Sequence, residues 1–202
     1  MKNDFLSGSL VRLGAINSAT DAKAFSDWSR DSEYSRLSDA GVARMWNVKQ
    51  VTEYLEKELE GEPSTTFAFS IRTLADDRLI GEIDLSGINW SSGEAIVGVG
   101  IGDRNDWGKG YGTDAMRVIL RFAFDELNLH RVFLDTFEYN PRALRSYEKC
   151  GFKIEGRQRG ALKRDGRRWD IIYMGILRDE WRAACDVETS RHATHDTRHS
   201  EV

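Results

Sequence analysis

The chain has 202 residues, of which 40% are hydrophobic and 31% charged, with a formal net charge of −4. This length and composition predict one globular domain with its own core, and the acidic balance argues against a nucleic-acid-binding surface. No apolar run approaches membrane-spanning length, two cysteines are too few for a disulfide framework, and no leader-like pattern opens the chain. We therefore expect a cytoplasmic protein with neither membrane nor nucleic acid as its partner.

The first half of the chain predicts two helices and an antiparallel meander. Alternating apolar and polar residues over 9–16 predict a first strand, and a helix is expected over 22–29, after capping residues. Apolar residues at helical spacing predict a second helix over 48–60. Three strands follow, separated by turn-forming residues, at 66–73, 79–85 and 95–101.

The strongest helix prediction covers residues 113–128, which carry a continuous apolar face. A strand is expected at 131–137. Asn140 then supplies a capping side chain, and Pro141 occupies the first helical position, where a missing N–H costs least. These residues predict a helix over 141–149.

The C-terminal part predicts a hairpin followed by a polar tail. The strands are expected at 152–162 and 169–177, with Asp165-Gly166 as the turn between them. Residues 186–202 contain little to bury and are predicted to be disordered. The chain is therefore expected to hold a single domain over 1–185.

A glycine-rich turn at 107–112 lies between a predicted strand and the 113–128 helix. Its free backbone N–H groups and the helix N-terminus suit a phosphate or pyrophosphate. A Walker loop is excluded because Lys109 precedes Gly110 instead of Ser or Thr. A dinucleotide fingerprint fails because Thr113 stands where the third glycine belongs. Two interpretations stay open, a Gln/Arg-x-x-Gly-x-Gly/Ala acetyltransferase loop and a tight turn without a ligand.

Four blocks in the second half resemble, in order and spacing, the GNAT acetyltransferase superfamily and its RimJ/RimL-like branch. One departure is that Trp107 occupies the family's Gln/Arg position, which the loop should tolerate because it works through backbone amides. The blocks are Trp107–Ala115, Leu129–Val132, Asn140–Phe152 and Arg164–Gly166.

This resemblance implies a mixed α/β fold, with a mostly antiparallel twisted sheet flanked by helices and the cofactor where strands splay beside the glycine-loop helix. It implies an N-acetyltransferase that moves acetyl from acetyl-CoA to a primary amine by direct attack in a ternary complex, without a metal. The residues that it places on the cofactor are Gly100, Ile101, Gly102, Trp107, Gly108, Lys109, Gly110, Tyr111, Gly112, Thr113, Asn140 and Tyr147.

The resemblance also implies catalytic roles. Tyr147 matches the family's general acid, although a tyrosine there could also be a core residue beside Phe152. Asn140 is a helix cap that, by resemblance, also binds the cofactor arm. Glu82 is the candidate base, with an exposed strand glutamate as the more common interpretation and Asp84 as a rival. The branch often has a glutamate where this chain has Ile96, which leaves a water-relayed proton as an alternative.

Several features leave alternatives open. Glycines at alternate positions 98, 100 and 102 fit close approach of a ligand or a weakened strand. The acceptor is expected to be a small-molecule amine or a protein N-terminus, contacting Phe67, Phe69 and Trp90. A silent CoA-binding sensor, a longer-chain acyltransferase and a homodimer also stay open.

Tail histidines 192, 195 and 199 are interpreted as solvated, and Cys150 as a small buried residue.

Overall fold

The computed structural model describes residues 4–59 and 65–186. They form one seven-stranded sheet with the order β1-β2-β3-β4-β5-β7-β6. The strands are β1 Val11–Gly14, β2 Phe67–Thr73, β3 Leu79–Asn89, β4 Glu94–Ile101, β5 Arg131–Phe137, β6 Lys153–Arg164 and β7 Arg167–Leu177. The helices are α1 Ser18–Trp28, α2 Ser32–Ser38, α3 Val48–Leu59, α4 Tyr111–Arg121 and α5 Pro141–Lys149.

The sheet is antiparallel except where β4 and β5 meet. These two strands run parallel, and their pairing covers Glu94–Ile96 against Arg131–Phe133. From Val97 onward β4 is paired to β3 on its other side, while β5 is paired to β7. The two strands therefore separate in the middle of the sheet, and the predicted mixed α/β fold is confirmed.

The main core lies between the sheet and α4. The fully buried side chains include Met116 and Ile119 of α4, which belong to the same apolar cluster as Ile83 and Leu85 of β3. A smaller cluster of Ala22, Val51 and Leu55 joins α1 to α3. Burial of apolar area in this second cluster fixes α1 and α3 relative to each other.

Asp114 fastens the start of α4 to the first strand. Its carboxylate is buried and accepts backbone N–H bonds from Ser9 at 3.1 Å, Leu10 at 2.8 Å and Val11 at 3.0 Å. One side chain thus satisfies three amides that have no strand partner at that point. The glycine turn before α4 is held in place by the same contact.

Most predicted elements are present, with informative shifts. The first helix starts at Ser18, earlier than predicted, because the Asn17 side chain accepts from the N–H groups of Ala19 and Thr20. The predicted 113–128 helix becomes α4 followed by a π-helical turn over Phe122–Glu126. Helix α2 was not predicted at all.

The C-terminal end also differs from the prediction. Residues 178–186 are helical, and Trp181 packs on Phe124 with ring centroids 5.3 Å apart. The predicted tail from 187 onward, with its three histidines, lies outside the described residues. Within 4–59 and 65–186, none of the helices is long and apolar enough to cross a membrane.

Replacing Asp114 by alanine should destabilise the fold by about 2–4 kcal/mol, because three backbone N–H groups lose their acceptor. Urea unfolding measures the change. Asp125→Ala is the matched control, since Asp125 is exposed just beyond the same helix, and it should change stability by less than about 0.5 kcal/mol. Equal effects of the two variants would contradict the anchoring role.

Candidate active site

The glycine turn adopts backbone angles that favour glycine. Gly108 has φ 77° and Gly110 has φ 90°, values that other residues adopt at a cost. A Cβ added at Gly108 would have no heavy atom within 4 Å, so this part of the turn faces open space. Gly110 precedes α4 and brings no side chain to cap it, which leaves the first amides of the helix for a ligand.

A cleft opens beside this turn and continues along the separated part of β4. Tyr34, Arg142, Arg145 and Lys149 line it, and sequence reasoning had missed all four. Three of them are cations, which suit an anionic ligand. Among the predicted residues, the cleft brings together Gly100, Ile101, Trp107, Gly108, Gly110, Tyr111, Gly112, Thr113, Asn140 and Tyr147.

Two predicted cofactor residues, Gly102 and Lys109, make other contacts. Gly102 is buried, and a Cβ there would lie 1.9 Å from the ring of Trp28. The Lys109 ammonium lies 3.3 Å from the buried Asp106 carboxylate, to which Arg78 also donates, at 2.6 and 3.0 Å. Hydrogen bonds from Arg78 hold the pKa of Asp106 below its usual value.

Trp107 contributes through its side chain as well as its backbone. The indole N–H donates to the carbonyl of Ile101 at 2.7 Å, which ties the turn to the end of β4. The Arg142 guanidinium stacks 3.8 Å from the ring centroid, a cation–π geometry. Desolvation lowers the pKa of Arg142. Tryptophan at the family's Gln/Arg position thus holds a cation at the cleft.

Helix α5 places Asn140 and Tyr147 on the other wall. The Asn140 Oδ1 accepts from the Ala143 N–H at 3.2 Å, so the predicted cap is present. The Tyr147 ring lies 6.0 Å from that of Phe152 while it also lines the cleft. Burial raises the pKa of Tyr147 to about 12, with the nearby Asp135 charge adding to the effect. Its hydroxyl therefore stays protonated at neutral pH.

Glu82 lies directly opposite Gly100 in the β3–β4 ladder. Its side chain is half-buried, whereas the more common interpretation of a strand glutamate is a fully exposed side chain. Loss of solvent raises its pKa from 4.5 to about 7, with the charge of Asp84 adding to the effect. A carboxyl with this pKa can exchange a proton near neutral pH.

The alternate glycines of β4 make room for side chains. A Cβ would lie 2.6 Å from the Asp84 Oδ1 if placed at Gly98, and 2.9 Å from the Tyr34 hydroxyl if placed at Gly100. Together with Trp28 over Gly102, these contacts explain the spacing better than a weakened strand does. Gly102 is buried beneath Trp28, whereas Gly98 and Gly100 stay partly exposed, so a ligand can approach β4 near Gly100.

Two of the aromatic residues expected at the acceptor lie on β2. Phe67 and Phe69 each pack with ring centroids 5.4 Å from Phe122, and both lie against the main core. Alternation in β2 directs these side chains toward Phe122 and the main core, and neither is among the residues that line the cleft beside the glycine turn; their contact with an acceptor stays a prediction. Cys150 is buried, as interpreted from its position before Gly151.

Comparisons with known proteins agree with this architecture. The family model of the acetyltransferase (GNAT) domain matches residues 11–153. The chain belongs to the GNAT acetyltransferase family. It is therefore an enzyme, an acetyl-CoA-dependent N-acetyltransferase, as the resemblance implied.

Individual relatives show how far the similarity extends. The probable N-acetyltransferase YjcK of Bacillus subtilis is 36% identical over 130 residues, covering 64% of this chain and 70% of that protein. The putative ribosomal N-acetyltransferase YdaF of the same organism is 33% identical over 108 residues, covering 54% of this chain and 58% of that protein. The spermidine N-acetyltransferase of Vibrio cholerae, solved with CoA and spermine, superposes with a TM-score of 0.75 at 23% identity, covering 85% of this chain and 97% of that one. This last likeness shows the fold.

Replacing Gly108 by aspartate should weaken acetyl-CoA binding at least about tenfold more than replacing it by asparagine. Both residues tolerate a positive φ and have the same size, so the difference isolates a negative charge beside the phosphates. Isothermal titration with acetyl-CoA measures it, and melting temperatures of the free proteins confirm equal folding. Equal affinities for the two variants would place the pyrophosphate away from this turn.

Proposed function

We propose that this enzyme acetylates the primary amine of a small molecule, with Glu82 as the base and Tyr147 as the hydrogen-bond donor to the departing sulfur. The observation that carries the proposal is the separation of β4 from β5 beside the glycine turn. Tyr147, a protonated phenol, lines the cleft at that opening, and Glu82, a carboxyl with a pKa of about 7, lies on β3 opposite Gly100.

Residues of the cleft fit acetyl-CoA. The backbone amides of 108–113 and the N-terminus of α4 suit the pyrophosphate, and Arg142, Arg145 and Lys149 add positive charge around it. The β4 edge at Gly100 and Ile101 offers peptide groups to the pantetheine arm, which carries amides of its own. Asn140 lies on the same cleft. The bound thioester supplies the acetyl group.

Glu82 is suited to take the proton that the attacking amine loses. Below a pH of about 7 its carboxyl is protonated and cannot accept another proton, so activity should rise as the pH increases through this value. Asp84 lies two residues after Glu82, on the same face of β3, and its charge adds to the rise in the pKa of Glu82. These two carboxyls favour a cationic acceptor over a neutral one.

Tyr147 acts on the leaving group. A thiol has an ordinary pKa of about 8.5, so its thiolate is a weaker base than the phenolate of a tyrosine with a pKa of about 12. Complete proton transfer from Tyr147 to sulfur is therefore unfavourable. A hydrogen bond from the hydroxyl still stabilises negative charge as it develops on the sulfur, and the thiolate takes its proton from solvent.

The acceptor is proposed from the relatives together with the site. The Vibrio cholerae neighbour was solved with spermine, a small polyamine, and the Glu82–Asp84 pair supplies matching negative charge here. A protein N-terminus is the second candidate, because YdaF is named as a putative ribosomal N-acetyltransferase. The same relative is what supports placing this chain in the RimJ/RimL-like branch.

Thiol release from acetyl-CoA with a panel of small amines and N-terminal peptides tests the function directly. We expect turnover with amines, and the ratio of wild-type to Glu82→Gln activity should rise with pH and level off above about 7. Taking the ratio cancels ionisation of the amine itself. Thiol release with peptides alone would favour the second candidate, and a ratio independent of pH would exclude Glu82 as the base.

Tyr147→Phe should lower kcat by about 100-fold or more and leave acetyl-CoA affinity nearly unchanged. The ring still packs beside Phe152, and the hydrogen bond that is lost forms mainly in the transition state. Steady-state kinetics and titration calorimetry measure the two quantities. A variant that turns over at the wild-type rate would assign Tyr147 to the core alone.

A further inference from the structure

Helix α2 is held across the opening of the sheet at both of its ends. At its start, the Arg104 guanidinium pairs with Asp31 and, at 2.6 Å, with Glu33. At its end, Arg36 pairs with Asp165 of the β6–β7 turn at 3.0 Å, and the Tyr139 hydroxyl donates to the Arg36 carbonyl at 2.8 Å. The helix therefore connects the region after β4 with the tip of the hairpin.

This arrangement places Tyr34 over the C-terminal end of β4, at Gly100. The Asp31 side chain accepts from the Tyr34 N–H at 3.2 Å, and the ring stands 6.4 Å from that of Trp28. A Cβ built on Gly100 would lie 2.9 Å from the Tyr34 hydroxyl oxygen and 3.6 Å from the ring. The hydroxyl is thus the part of Tyr34 nearest to the strand.

The Tyr34 hydroxyl lies over Gly100, the strand partner of Glu82, and Tyr34 also lines the cleft. Glu82 is the direct partner of Gly100 across the ladder, and Tyr34 lines the cleft together with Tyr147. Burial raises the pKa of Tyr34, and the Glu82 charge adds to the effect. Tyr34 therefore keeps its proton across the working pH range, while its oxygen can still accept a hydrogen bond.

We infer that Tyr34 is an acceptor-binding residue, whose phenol oxygen accepts a hydrogen bond from the N–H of the incoming amine and holds the nitrogen over Gly100 beside Glu82. The inference rests on the proposed function. During the reaction the N–C bond forms as the C–S bond breaks. The amine proton goes to Glu82, and Tyr34 keeps its own.

Tyr34→Phe tests this assignment because it removes the hydroxyl and keeps the ring against Trp28. The kcat/KM for the amine should fall by about 10- to 100-fold, since a desolvated amine N–H loses its acceptor. The dissociation constant of acetyl-CoA and the melting temperature should stay at wild-type values. Tyr54→Phe, the same change on α3 at a 49% exposed tyrosine, is the control and should leave the amine kcat/KM and the acetyl-CoA dissociation constant unchanged.

A second substitution makes the test sharper. Gly100→Ala brings a methyl group to 2.9 Å from the hydroxyl and should displace it, whereas a phenylalanine ring at 34 meets that methyl at an ordinary 3.6 Å. Gly100→Ala should therefore cost much less in the Tyr34→Phe background than in the wild type. Such coupling is expected for groups in contact.

The possible outcomes distinguish failure of the Tyr34 assignment from failure of the proposed function. Wild-type amine kinetics in Tyr34→Phe would overturn the inference alone, because the enzyme would still be an amine acetyltransferase. A weaker acetyl-CoA affinity together with a lower melting temperature in Tyr34→Phe would also overturn it, because both changes indicate that Tyr34 has a packing role. A wild-type protein that binds acetyl-CoA but acetylates no amine in the panel would overturn the proposed function, and this assignment with it.

Discussion

The separation of β4 from β5 is the constraint on which the rest of the site depends. Buried backbone N–H and C=O groups need partners, and a strand in the middle of a sheet normally finds them on both sides. Here the parallel pairing stops after three residue pairs, so the second half of β4 presents a peptide edge inside the molecule. Such an edge suits a ligand that carries amides, and the arm of CoA is one.

The glycine turn is useful because the surrounding structure holds it rigidly. Asp114 ties the first turn of α4 to β1, and Thr113 and Ser146 join α4 to α5 through their hydroxyls, 2.7 Å apart. Trp107 links the turn to the end of β4. Preorganised amides pay little entropy when an anion binds, so these contacts contribute to affinity without touching the ligand.

The two candidate groups for proton chemistry, Glu82 on β3 and Tyr147 on α5, owe their pKa values mainly to loss of solvent. Glu82 and Tyr147 have ordinary pKa values well away from neutrality, at 4.5 and 10.0. Burial moves the carboxyl to about 7 and the phenol to about 12, since both lose the water that stabilises their charged forms. One group becomes able to accept a proton near neutral pH, and the other remains a donor. Environments that shift titratable groups in this way are typical of active sites.

The sequence by itself determined the features that depend on neighbouring residues. The glycine turn, the Asn140 cap with Pro141 after it, and the Asp165-Gly166 hairpin are local, because their backbone angles and caps are set within a few positions. Helix α2 was missed, since its seven residues are mostly polar and are held by Arg104 and Asp165, far away in the chain. The environment of Glu82 was missed for the same reason. Its pKa is raised chiefly by burial, and burial of this side chain arises only in the tertiary structure.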